Sequence, residues 1–152
     1  MFVKDTEQLE NEIAETDRLE KFFEDNSEDL KKITLAEYLE TLLQEKNLSK
    51  AEVAKKSEIG EYIYHIFSGR KGSQKNSNRK IAREKILSIA ISMQLSLKET
   101  QRLLYFSGNE KLYARNSWDG ILIYALENKL SLQETNETLS SFSESPLLGV
   151  GR

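Results

Sequence analysis

The stretch Leu48–Lys71, LSKAEVAKKSEIGEYIYHIFSGRK, constrains this chain more than any other. Its pattern is that of two short helices joined by a tight turn. Ser49 is followed three residues later by Glu52, the spacing at which hydroxyl and carboxylate each satisfy an orphan backbone N–H of a first helical turn. Val53 and Ala54 then face inward, and Ala54 is small enough for a second helix to cross close by. The chain turns through residues 57–60 and starts again. On a wheel of about 100° per residue, Ile59, Ile63, Ile66 and Phe67 share a sector of roughly 80° and form a buried face. Glu61, Tyr64, His65 and Ser68 fall on the opposite side. A capped helix that holds a second helix with one apolar and one presented face is the helix-turn-helix arrangement.

The remainder reads as helix as well. One proline and seven glycines stand against many Leu, Ile, Glu and Lys residues. Residues 1–30 predict one acidic amphipathic helix, with Leu9, Ile13, Leu19, Phe22 and Phe23 near one side and residues 26–28 ending it. Its apolar spacing drifts, which disfavours a long coiled coil. Thr34 and Glu37 form another capping box, opening a helix to about Lys46 with Leu35, Tyr38, Leu39, Leu42 and Leu43 inward. Residues 69–78, GRKGSQKNSN, have loop composition. A longer helix is predicted from about Arg79 to Met93, burying Ile81, Ala82, Ile86, Ile89, Ala90 and Met93.

The second half contains a repeat. At an offset of 35, Ile86, Leu87, Ala90, Leu95, Ser96, Leu97, Glu99, Thr100 and Leu104 match Ile121, Leu122, Ala125, Leu130, Ser131, Leu132, Glu134, Thr135 and Leu139. Each copy is a buried helix, a turn and a helix opened by Ser-Leu-x-Glu. Two copies are too few for a solenoid, for which about three are needed. A second helical hairpin packing on the first is expected, with Trp118, Ile121, Tyr124, Ala125, Leu132, Leu139 and Phe142 in its core. Residues 143–152 read as a tail.

Charge is distributed unevenly. Of the net −3, residues 1–30 carry −8, from eleven acids and three bases, and the remainder carries +5. Because charges are screened over about 8 Å at physiological salt, the local field matters more to a polyanion than the pI of 5.4. No acid lies between Tyr62 and Arg83, whereas Arg70, Lys71, Lys75, Arg79, Lys80 and Arg83 supply six positive charges. Their place just after the presented helix marks them as candidate phosphate contacts, since such contacts flank a helix in the major groove. Glu61 suits cytosine N4, His65 a guanine acceptor, and Tyr64 a thymine methyl or a phosphate. The same outward set is equally able to meet a protein.

Several function classes are disfavoured. Cysteine is absent, which leaves no disulfide framework and no thiolate metal site. His65 is the single histidine, and no serine has a paired base and acid at a recognisable spacing, so an enzyme is not expected. No metal-ligand cluster, phosphate-cradling glycine loop or cofactor box is evident. Tyr38, Tyr105, Tyr113 and Trp118 read as core or half-buried positions. No apolar run has signal-peptide or membrane-spanning character, so a cytoplasmic protein is expected. A chain of 152 residues suits one domain that buries about 68–70% of its unfolded surface.

YIYHIFSGRK, preceded by LSKAEVAKKS, resembles the phage-repressor-like (Xre-type) helix-turn-helix regulators. LSLKETQRLL, LYARNSWDGILIYAL and LSLQETNETL, with Pro146-Leu147 beyond, resemble a bacterial subfamily with extra helices after the motif. The likeness covers roughly residues 34–147. The turn is one residue shorter than the family form and has Glu58 where glycine is common. The resemblance implies an all-α fold: a repressor-like domain over 34–107, a C-terminal helical extension over 108–142 and the acidic helix in front. It implies a transcriptional regulator of double-stranded DNA, dimeric because two half-sites are the usual route to useful affinity, with no cofactor. The alternative is a protein-interaction module, such as an antitoxin-like neutraliser of a co-encoded partner. The N-terminal helix would then be the dock, rather than a dimer arm, an acidic cover or a solvated helix.

Overall fold

The computed structural model describes residues 4–30, 33–68 and 81–147, and these contain nine α-helices and no strand. The described part of the chain is therefore all-α. It forms two compact units, one up to Ile33 and one from Thr34 onward.

The first unit is a helical hairpin rather than the single helix expected over residues 1–30. Helix α1 spans Thr6–Glu15 and α2 spans Leu19–Asp25. Thr16 is extended, and its hydroxyl both donates to the Arg18 carbonyl (3.1 Å) and accepts the Arg18 N–H (3.4 Å). This local bonding gives the backbone an alternative to the helix and breaks it there. Asp5 and Gln8 cap α1 reciprocally, and α2 ends at Asn26, within the predicted stop. The seam between the helices is polar. Lys4 Nζ donates to Glu12 and to Asn26 Oδ1 (2.7 Å), while Asn26 Nδ2 donates to Glu12 Oε2 (2.8 Å). Phe22 is buried, while Ile13, Leu19, Phe23 and Leu30 stay largely exposed.

The second unit holds α3 (Leu35–Lys46), α4 (Lys50–Ser57), α5 (Tyr62–Ser68), α6 (Arg83–Met93), α7 (Leu97–Phe106), α8 (Ser117–Glu127) and α9 (Leu132–Ser141). Helix α6 is central, packing on α4, α7, α8 and α9. Every residue from Ile86 to Met93 is buried, which fits a helix surrounded on all sides. Small residues let it approach α4 closely: Ser88 Oγ donates to the Ser57 carbonyl, and Ser92 Oγ to the Ser88 carbonyl (2.6 Å). Helix α6 starts at Arg83, so Ile81 and Ala82 precede it instead of lying inside it.

The 35-residue repeat extends further in the structure than in the sequence. Gln94, the cap of α6, and Lys129, just after the cap of α8, are both in the left-handed region, at φ 55° and 53°. Ser96 and Ser131 cap the following helices, each in a box with Glu99 or Glu134. Gln101 brackets the backbone of Leu112 through both its amide atoms, and Asn136 does the same to Leu147. Arg83 Nε donates to the Glu110 carbonyl (2.9 Å), and Trp118 Nε1 donates to the Ser145 carbonyl (2.8 Å). The copies pack reciprocally, α6 on α9 and α7 on α8, with α6 against α8. Gln94 and Lys129 each donate to the other's carbonyl, at 3.2 and 2.8 Å. Such mutual contact between equivalent positions describes a pseudo-two-fold relation, not a linear stack.

Three expectations about this half are corrected. Tyr124 and Phe142 are 55% and 68% exposed, and the core of the second copy comes instead from Leu122, Ala125, Leu126, Leu132 and Leu139. Tyr124 sits two residues after Leu122, on the far side of α8, and Phe142 only caps α9. The described part of the expected tail is packed: Leu147 is buried, and Ser145 and Leu147 are held by Trp118 and Asn136. Tyr105 and Tyr113, expected in or near the core, are exposed, whereas Tyr38 is buried and Trp118 half-buried.

Candidate nucleic-acid interface

Helix α4 begins as the sequence requires. Ser49 Oγ accepts the Glu52 N–H and Glu52 Oε1 accepts the Ser49 N–H, both at 3.1 Å. Its C-terminal cap is Glu58, left-handed at φ 60°, and Gly60 follows at φ 61°. Two left-handed residues two apart reverse the chain tightly, and glycine supplies the second without steric strain. Nothing lies within 4 Å of a Cβ built on Gly60, so only backbone conformation makes glycine favourable there. Helix α5 starts at Tyr62, packs on α3 and α4, and buries Ile63, Ile66 and Phe67.

Glu61, Tyr64, His65 and Ser68 are all exposed, and they share the outer face of the turn and α5. Ser68 Oγ donates to the His65 carbonyl (3.0 Å). That contact uses the His65 backbone and not its ring. Glu61 is the one carboxylate among these four residues.

Each flank of this face carries a lysine seated on an aromatic ring. Lys85 of α6 lies over the Tyr62 ring, with Nζ 3.7 Å from its centroid, and the Tyr62 ring meets the His65 ring edge-on at 6.3 Å. On the other flank, Lys50 Nζ is 5.7 Å from the Phe67 centroid and 3.4 Å from Glu40 Oε2. Neither lysine was singled out by sequence reasoning. Lys85 lies 23 residues beyond Tyr62 on a different helix, so no local spacing relates them.

Of the six basic candidates, Arg70, Lys71, Lys75, Arg79 and Lys80 lie outside the described residues. Arg83 is described, and its guanidinium is turned into its own unit. Nη1 and Nη2 meet the two Asp119 oxygens at 3.1 and 3.0 Å, and Nε and Nη2 donate to the carbonyls of Glu110 and Lys111. Such a fork fixes Arg83 as a tie between the two repeat copies, and it differs in this from a solvent-facing phosphate contact. Among the described residues, no three His, Cys, Asp or Glu side chains converge to hold a metal, and no helix is long and apolar enough to cross a membrane. No protein-family model, curated protein or solved structure matches the chain.

Proposed function

We propose that this protein is a DNA-binding transcriptional regulator of the repressor-like helix-turn-helix kind, with α5 entering the major groove. One observation carries the reading. Helix α5 buries Ile63, Ile66 and Phe67 and presents Tyr64, His65 and Ser68, with Glu61 exposed in the turn just before it, and the sequence runs on into an acid-free basic stretch. The outward set supplies hydrogen-bonding groups for base edges, and Arg70, Lys71, Lys75, Arg79 and Lys80 supply phosphate contacts. Arg83 acts as a structural tie. A homodimer on two half-sites provides the affinity.

The test separates positioning from reading. Arg70→Ala and Arg79→Ala weaken all duplexes alike and lower the salt slope of binding by about 1 each. Glu61→Ala and His65→Ala each cost about 1–3 kcal/mol at one base position and relax preference there. A uniform loss across positions from the second pair would contradict direct base reading.

A protein-interaction role is the second reading, favoured by the exposed apolar residues Ile13, Leu19, Phe23 and Leu30 in an acidic hairpin. Removing residues 1–30 separates the two. Under the DNA reading the shortened chain still selects a duplex sequence. Under the interaction reading there is no selection to retain.

A further inference from the structure

Tyr62 and Lys85 form a cation–ring pair between α5 and α6. Tyr62 lies on the flank of α5, between the outward His65 and the buried Ile66, and its ring is half-exposed. Lys85 reaches it from α6, so its ammonium is held at the edge of the presented face by a residue of α5 itself. The outer face carries the Glu61 carboxylate, which repels a phosphate approaching head-on. DNA backbones run along the flanks of a helix seated in the major groove, where a cation is needed. On the opposite flank, Lys50 shares its charge with Glu40, which makes it the poorer donor to a phosphate.

We infer that Lys85 is a phosphate clamp for the DNA strand beside α5, and that Tyr62 is the residue that positions it. This rests on the DNA-binding reading. A lysine side chain is flexible and its ammonium strongly hydrated, so reaching a phosphate normally orders a long stem. Seating Nζ on the Tyr62 ring fixes the stem beforehand while the quadrupole of the ring leaves the charge intact. Unlike a carboxylate, a ring does not neutralise the ammonium, so the counterion released on binding is still counted in the salt dependence.

The measurement is anisotropy of a labelled mixed-sequence duplex with the full chain, between about 50 and 200 mM salt. Lys85→Gln is expected to lower the slope of log affinity against log salt by about 1, and Lys85→Arg to preserve it. Tyr62→Leu is expected to weaken binding severalfold while Tyr62→Phe, which keeps the ring, does not. In the Lys85→Gln background Tyr62→Leu should have no further effect, because Tyr62 acts through Lys85. Melting temperatures of all variants report folding, and Lys85→Glu, reversing the charge on a half-exposed site, should lose more slope than Lys85→Gln. A slope unchanged by Lys85→Gln, in a wild type that binds DNA, overturns this inference and leaves the helix-turn-helix reading standing. Additive losses from Tyr62→Leu and Lys85→Gln overturn the positioning role. A wild type without salt-dependent duplex binding overturns both the inference and the reading beneath it.

Discussion

Three helix junctions in the second unit use the same few residues. Asn47, Gln94 and Lys129 adopt left-handed backbone at φ 56°, 55° and 53°, and each is followed by Leu-Ser-x-x-Glu. The leucine N–H closes each junction back onto the preceding helix: Leu48 to Leu43 (2.9 Å), Leu95 to Ala90 (3.1 Å) and Leu130 to Ala125 (3.0 Å). The serine and glutamate then open the next helix. The caps were legible in sequence because a capping box is a local hydrogen-bond pattern with a fixed spacing. The left-handed conformations of Gln94 and Lys129 were not, since glutamine and lysine, unlike the asparagine at position 47, carry no preference for that region. Ser96→Ala or Ser131→Ala is expected to cost about 1 kcal/mol in urea unfolding. Glu58 holds a left-handed position that glycine fills without strain, so Glu58→Gly is expected to gain about 0.5–1 kcal/mol. Two buried or half-buried groups contribute to the dependence of stability on pH. Burial pushes the Tyr38 hydroxyl up to about 12 despite the nearby Arg102. A raised acid keeps its full stabilising contribution below its ordinary value of 10.0 and loses it progressively as pH rises towards 12. Tyr38→Phe should therefore remove that part of the alkaline limb. Burial raises Glu99, but the Ser96 N–H and Lys46 at 2.9 Å outweigh it, so its carboxyl titrates below the usual range. Its contribution is present above pH 4.5 and lost as pH falls through the lowered value, so Glu99→Gln should flatten the acid limb below pH 4.5.

At the scale of elements, periodicity located most helices but not their phase or their partners. The buried faces of α3 and α5 follow the sequence pattern, because each has a single apolar stripe against polar neighbours. Helix α8 is apolar on several sides, so Trp118, Ile121, Leu122, Tyr124, Ala125 and Leu126 compete for the inward position. Reciprocal packing against α6 and α7 decides it in favour of Leu122, Ala125 and Leu126. The Arg83–Asp119 tie was invisible to sequence reasoning for a related reason. It joins residues 36 apart, and Arg83 read naturally as one more member of a basic run. Asp119 lies in the first turn of α8, its side chain is 8% exposed, and it also accepts the Tyr113 N–H (2.9 Å). Arg83→Gln should therefore cost about 3 kcal/mol by leaving a buried carboxylate without its cation. Asp119→Asn in the same chain should recover part of that loss, as a double-mutant cycle in urea would show. Lysine is a poor replacement for Arg83, since the fork engages Asp119 and two carbonyls at once.

For the whole molecule, charge asymmetry and the presented face of α5 bear on one claim. Residues 1–30 carry −8 and belong to the unit that runs to Ile33, while the unit beyond carries the basic stretch and α5. The acidic and basic segments were plain in the sequence, as were Glu61, Tyr64, His65 and Ser68, because alternation around one short helix separates outward from inward residues. Removing residues 1–30 should leave the second unit folded, with a melting transition close to that of the full chain. The most direct measurement is selection of randomised duplex DNA by the full chain, repeated with Glu61→Ala and His65→Ala. The account predicts a two-fold-related consensus for the wild type, with preference relaxed at one position per half-site in each variant and retained elsewhere. A flat profile from the wild type, or a wild-type consensus that both variants leave unchanged, would contradict it.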